Sequence, residues 1–159
     1  MRNIKKVIIY GILAILTLSF VYIIYPRSGT LEKLVLENYK TEEFTFGRLN
    51  IFGRLNIEDE VYTIAENNKD KLEEFLNEIK DIKIKEISKI KEEDINEEYN
   101  LRLYSYNNSE KLGLVLLDFK YIRIFGSAKG RHRNAIYKIL NEEDRNLLKE
   151  KIEAIKKEN

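Results

Sequence analysis

The 159-residue chain contains no cysteine. This absence excludes disulfide bonds, thiolate metal sites and a cysteine-linked lipid. Tryptophan is also absent, and proline and histidine each occur once. Because a single histidine cannot pair with a second imidazole around a metal ion, we predict no metal site, and no pattern in the chain indicates a cofactor.

A surplus of charge of either sign is missing as well, since 28 basic residues balance 27 acidic ones. Nucleic-acid-binding domains usually carry a basic surplus, so we expect no nucleic acid partner. The seven glycines match no nucleotide-binding pattern, and the acidic clusters lack the spacing of a calcium loop. An enzyme remains the third hypothesis for this chain, and it would require a cleft near Asp118 or His132. For Asp118, a turn at a strand end is the simpler interpretation.

The longest apolar run lies at the N-terminus, where residues 7–25 include no charged side chain. Its length is close to the ~20 residues that cross a hydrocarbon core of ~30 Å. Arg2, Lys5 and Lys6 precede the run and favour a cytoplasmic N-terminus. We predict that residues 1–25 form an uncleaved signal anchor, because the run exceeds the ~7–15 apolar residues of a cleavable signal. Secretion after signal cleavage and a buried core helix are the alternatives.

The rest of the chain divides into a predicted linker, residues 26–30, and a predicted extracytoplasmic domain, residues 31–159. Without residues 1–25 the chain keeps 25 basic and 27 acidic residues. The domain that would face outward is therefore slightly acidic.

The pattern of apolar residues predicts an α+β domain with a curved antiparallel sheet. A run from Leu112 to Leu117 without a polar side chain is typical of a strand covered on both faces, and alternation marks the strands before and after it. Residues 72, 75, 76 and 79 are apolar at helical spacing, which predicts a helix packed on one face of the sheet. A C-terminal helix is predicted after Asn141, with Leu148, Ile152 and Ile155 on its buried side. The strand order cannot be derived from the pattern.

The hexapeptide FGRLNI occurs twice in succession, from Phe46 to Ile57. Six is an even number, so in a strand the second copy keeps every side chain on its original face. Leu49 and Ile51 then share one face with the glycines, and Phe46 and Arg48 share the other with the asparagines. The functional interpretation is a repeated surface that grips a periodic polyanion or glycan. The simpler interpretation is a duplication that the sheet absorbed as a longer strand.

A basic segment lies near the C-terminal end of the predicted sheet. Glycines allow backbone N–H groups to approach an anion, and arginine offers paired donors to phosphate. The segment therefore forms a candidate anion site, against the simpler interpretation of a solvated loop. Its candidate residues are Arg123, Lys129, Arg131, His132 and Arg133.

Three stretches carry a resemblance to a known group of proteins: VIIYGILAILTLSFVYIIY, YIRIF and AIYKILNEEDRNLLKEKI. The chain resembles small signal-anchored envelope proteins of low-GC Gram-positive bacteria that carry a compact domain of unknown function. The resemblance implies a bacterial membrane location and supplies no functional residues. The GSAKGRHR segment and the duplicated hexapeptide have no counterpart in it.

Together these features predict a non-enzymatic, membrane-anchored domain that binds a protein or an envelope component. The second hypothesis is a sensor of an anionic ligand or lipid headgroup that uses the basic segment.

Deletion of the second hexapeptide, residues 52–57, tests whether the duplication has a function. Since strand phase is preserved, we expect a folded protein with unchanged ligand binding, measured by circular dichroism and a binding assay. A folded deletion variant that has lost binding would establish the repeated surface instead.

Overall fold

The computed structural model of the chain describes residues 8, 10–17, 19, 26–39, 44–53, 60–64, 69–90, 95–105, 107, 109–126 and 134–158. They form one antiparallel sheet of eight strands with accompanying helices, which confirms the predicted α+β class. The strands are β1 (Ser28–Thr30), β2 (Phe44–Gly53), β3 (Glu60–Ile64), β4 (Lys83–Ile87), β5 (Glu97–Ser105), β6 (Glu110–Leu117), β7 (Tyr121–Gly126) and β8 (Ile136–Ile139). The α-helices are α1 (described over residues 10–17), α2 (Leu31–Leu34), α3 (Lys69–Ile79) and α4 (Glu142–Glu158), and a 3₁₀ turn spans Leu36–Asn38.

The strand order across the sheet is β1-β4-β8-β7-β6-β5-β2-β3. Strands β5 to β8 follow one another as an antiparallel meander. Strand β2 extends this meander beyond β5, and β4 extends it beyond β8. The short strands β1 and β3 therefore lie at the two edges.

One face of the sheet, here called the inner face, carries the hydrophobic core. Leu49, Leu101, Leu114 and Ile124 point into it from four adjacent strands and are essentially inaccessible to solvent. The predicted apolar stripe of α3 is confirmed, because all four of its residues are buried in the same cluster. Helix α4 adds Leu148 and Ile152 to the same cluster, while its Ile155 is only partly buried. The inner face is thus covered by α3 and α4.

The predicted linker of residues 26–30 is wrong in part, because three of its residues form strand β1. Gly29 lies opposite Ile84 of β4. The preceding residue, Arg27, forms an ion pair with Glu86 of β4, with 3.1 Å between Nε and Oε2 and the Glu86 side chain 13% exposed. A three-residue edge strand has no apolar alternation to detect, so the sequence pattern gave no sign of it.

The N-terminal prediction falls largely on residues outside the described ranges, including Arg2, Lys5 and Lys6. Within the described ranges, no helix is long and apolar enough to cross a membrane.

The first copy of the duplicated hexapeptide lies within β2, as the strand interpretation predicts. Leu49 is fully buried on the inner face, where Ile51 also packs against the core, while Arg48 is exposed on the other face. The second copy contributes Phe52 and Gly53 to the strand, and its remaining residues 54–57 lie outside the described ranges.

Gly126, the last residue of β7, lies in close contact with the ring of Tyr39. A methyl group in place of its hydrogen would lie 2.7 Å from the carbonyl oxygen of Lys111 and would overlap the Tyr39 ring. Gly113 offers a contrast in the adjacent strand β6, because the same methyl group would lie 3.5 Å or more from its neighbours. Only the first glycine is required by packing.

The substitution Gly126→Ala is expected to lower the free energy of unfolding by about 1–3 kcal/mol, because backbone or ring must shift to admit the methyl group. Urea unfolding followed by circular dichroism measures the change. Gly113→Ala is the matched control and should leave stability within about 1 kcal/mol of the parent. If both substitutions lowered the free energy of unfolding equally, the contact with the Tyr39 ring would not be the reason that position 126 requires glycine.

Candidate functional site

Strand β6 is buried on both of its faces, as its sequence predicts. Leu112, Leu114 and Leu116 belong to the core on the inner face. Val115 and Leu117 are also buried, at 3% and 1% exposure, but they point to the opposite face of the sheet, outside the core cluster. This second face is here called the outer face, and strands β5 and β7 flank Val115 and Leu117 there.

A shallow depression of about 270 Å³ lies on the outer face above β6. Its centre is open because Gly113 has no side chain there. The depression combines charged, amide and aromatic groups rather than a continuous apolar wall. It is lined by Glu98, Asn100, Arg102, Glu110, Gly113, Val115, Arg123 and Phe125.

Two arginines flank the depression from opposite strands, Arg102 from β5 and Arg123 from β7. Arg102 has a carboxylate partner, since its guanidinium lies 3.5 Å from Glu110, and its Nε also donates to the Asn100 side chain at 3.4 Å. Arg123 forms no ion pair and no side-chain hydrogen bond with any residue in the described ranges. Its donors are thus available to an acceptor from outside the chain.

A third arginine, Arg48, projects from the duplicated hexapeptide in β2. It lies beside a stacked aromatic pair, Phe46 and Tyr104, whose ring centroids are 4.9 Å apart with planes inclined by 6°. The guanidinium carbon is 5.7 Å from the Phe46 centroid and 5.6 Å from the Tyr104 centroid. Such contact fixes the guanidinium by cation–π attraction and leaves its N–H edge open to an acceptor.

The sequence-predicted anion site is only partly described. Arg123 lies on the outer face at the depression. Lys129, Arg131, His132 and Arg133 lie outside the described ranges, in the segment that leaves the sheet after Gly126 and returns at Asn134.

The sequence pattern did not predict that Arg102 lies at the same depression as Arg123. Its place in an alternating strand, between Leu101 and Leu103, already put it on the outer face. What the pattern lacked was the strand order, which places β5 and β7 on either side of β6. Arg48 was assigned to its correct face, but not to a position beside Arg102.

Asp118, the other residue considered for chemistry, has a structural role, as its position at a strand end suggested. Its carboxylate accepts hydrogen bonds from the backbone N–H groups of Asn96 and Glu97, at 3.1 and 2.8 Å. It also occupies the tight turn between β6 and β7, where Asp118 and Phe119 both have positive φ, 49° and 53°. Lys120 N–H closes that turn on the carbonyl of Leu117 at 2.9 Å, as in a type I′ hairpin.

Near this turn, burial raises the pKa of the Tyr99 hydroxyl, and its hydrogen bond to the Glu97 carboxylate at 2.6 Å adds to the effect. The Tyr99 ring packs against Phe119 with 4.5 Å between centroids. Neutral Tyr99 is therefore part of the packing that holds the turn, and it is not placed as a proton donor to an open cleft.

Among the described residues, no group of histidine, aspartate and glutamate side chains is arranged to hold a metal ion. No protein-family model, curated protein or solved structure matches the chain. Its function is therefore inferred from the placement and chemistry of its own residues.

The substitution Asp118→Ala should lower the free energy of unfolding by about 1–3 kcal/mol, because two backbone N–H groups at the start of β5 lose their charged acceptor. Asp118→Asn is the control, since it keeps one acceptor oxygen and should lose less. Chemical denaturation of the two variants measures the difference. If Asp118→Ala were as stable as the parent, the carboxylate would not be what holds the start of β5.

Proposed function

We propose that the chain is a membrane-anchored extracytoplasmic protein whose α+β domain works as a non-enzymatic binding module for a protein or envelope component. The observation that carries the proposal is the exposure of the apolar side chains of α1. In α1 and at residue 8 just before it, the large apolar side chains that the structure describes are all more than half exposed, which an aqueous environment disfavours. They are Ile8, Tyr10, Ile12, Leu13, Ile15 and Leu16.

The hydroxyl of Thr17, near the middle of this segment, is satisfied within the helix itself. Thr17 Oγ1 donates towards the carbonyl oxygens of Leu13 and Ala14, at 3.0 and 2.9 Å. A helix in lipid must satisfy its polar groups internally, because no water is present to do so. The hydroxyl therefore does not oppose insertion of the apolar run of residues 7–25.

The domain begins directly after that run. Arg27 is already tied to Glu86, and β1 begins at Ser28. With the N-terminus held inside by the residues before the run, the domain would lie close to the outer surface of the membrane. The resemblance to signal-anchored envelope proteins is in agreement with this placement.

The binding role is supported by the outer face of the sheet. Helices α3 and α4 pack on the inner face, so the outer face presents polar and charged side chains around the depression above Gly113. The second candidate function, a sensor of an anionic ligand or lipid headgroup, is favoured by the open donors of Arg123. It would use the same surface with the basic segment of residues 129–133.

Protease treatment of intact cells without their wall tests the proposed location. We expect external protease to degrade the C-terminal domain of the tagged protein, because the apolar run would place it outside. A cytoplasmic protein in the same cells is the control for membrane integrity. A domain that survives until the cells are lysed would overturn the extracytoplasmic location.

A further inference from the structure

Five basic side chains form an oblique track across the outer face. Arg48 of β2 lies opposite Arg102 of β5, and Arg102 lies opposite Gly113 of β6, the open position in the track. Beyond β6 the track shifts along the strands by one outward-facing cross-strand pair, to Arg123 of β7, which lies opposite Val115. It continues by a further pair to Lys138 of β8, opposite Tyr121.

The track ends at Lys85 of β4, which lies directly opposite Lys138. From β2 to β4 it crosses five strand spacings, which is about 24 Å at ~4.8 Å per spacing. One basic side chain stands on each of five strands, and β6 supplies the glycine gap between them. The five are Arg48, Arg102, Arg123, Lys138 and Lys85.

The track includes two pairs of like charge in direct cross-strand register, Arg48 with Arg102 and Lys85 with Lys138. Like charges directly opposite each other destabilise a sheet. Glu110 offsets Arg102 in the first pair, but no carboxylate pairs with either lysine in the described ranges. A bound polyanion would relieve this repulsion, whereas an uncharged ligand would not.

The shape of the surface favours an extended ligand over a compact one. The depression above Gly113 is slightly smaller than the ~300 Å³ at the low end of small-molecule pockets, while the track extends over about 24 Å across the strands. The charged surface also differs from the core of a protein–protein interface, from which charged residues are depleted. The ligand that fits is a linear chain with repeated negative charge.

The groups beside the track suit sugar rings. Asn50 and Asn100 lie opposite each other in the row next to Arg48 and Arg102, and their amides offer both donors and acceptors to hydroxyl groups. Phe125 is 38% exposed and presents an apolar surface to the C–H face of a ring. Glu98, which has no ion pair within the described ranges, adds a further acceptor for hydroxyls.

We propose that the basic track binds a linear carboxylate-bearing polysaccharide, with its acidic groups on the arginines and lysines and its sugar rings beside Phe125 and the asparagines. The inference deepens the proposed function, on which it rests, since an envelope polymer meets this domain only outside the membrane. It assigns the envelope component by its chemistry.

The test uses the full-length protein in non-ionic detergent and fluorescently labelled polygalacturonate oligomers, with anisotropy as the readout. We expect saturable binding at low salt that weakens steeply as salt is added, because the contacts are ionic. Fully methyl-esterified oligomers of the same length should bind at least about tenfold more weakly, since each sugar then lacks its charge. Poly-L-glutamate and single-stranded DNA, which lack the acidic sugar rings, should also bind at least about tenfold more weakly.

The decisive variant is the double substitution Lys85→Gln and Lys138→Gln at the end of the track. Both lysines are exposed, so folding should be unaffected, and we expect binding about tenfold weaker than the parent. The matched control replaces two exposed lysines of α4, as Lys149→Gln and Lys157→Gln, and so removes the same net charge. Its affinity for the oligomers should stay within about twofold of that of the parent. Arg123→Lys keeps the charge but removes paired donors, and it should weaken binding by a smaller factor.

Absence of polygalacturonate binding at low salt would overturn the proposal, as would equal affinity of the Lys85/Lys138 variant and the parent. Equal binding of poly-L-glutamate or DNA would overturn the assignment to a polysaccharide. These results are independent of the protease experiment. Binding in detergent by a protein whose domain is protected in cells would contradict the proposed location while the carbohydrate site remained.

Discussion

The double burial of strand β6 is the constraint on which the rest of the structure depends. An antiparallel sheet has two faces, and the described helices α3 and α4 both pack on the same one. Val115 and Leu117 nevertheless point to the other face and are excluded from water. Within the described ranges, long side chains on β5 and β7 flank them, and such side chains bury their apolar stems while their polar ends stay in water. The polar character of the outer face follows from this arrangement.

The same arrangement connects the fold to the proposed function. The guanidinium of Arg102 is oriented by Glu110 and Asn100, and that of Arg48 by two stacked rings. Groups held in this way lose little freedom when a ligand binds, so less of the interaction energy is spent on ordering them. A surface that shields β6 and a surface that binds an acidic polymer can thus consist of the same residues, with Gly113 leaving room at the centre.

Elements with a strong period could be predicted from the sequence, and features that depend on strand order could not. The apolar stripe of α3, the alternation of β5 and the continuous apolar run of β6 can each be recognised from the spacing of apolar residues. The alternation rule for strands also predicted the two faces of β2. The three-residue strand β1 has no such period. The proximity of Arg102 and Arg123 required the knowledge that β6 lies between their strands. Asp118 was correctly assigned to a turn, but its bonds to Asn96 and Glu97 come from a segment distant in the chain.

One face of the sheet builds the core, and the other is covered, within the part of the chain that the structure describes, by solvated side chains. Leu114 and Val115, neighbours in β6 that point to opposite faces, allow the most direct measurement: the free energies of unfolding of Leu114→Ala and Val115→Ala. We expect a loss of about 2–5 kcal/mol for Leu114→Ala and, per carbon atom removed, a clearly smaller loss for Val115→Ala, because flexible side chains and water can fill the space on the outer face. An equal or larger loss per carbon at Val115 would mean that a second packed layer covers the outer face, and the binding surface described above would not exist.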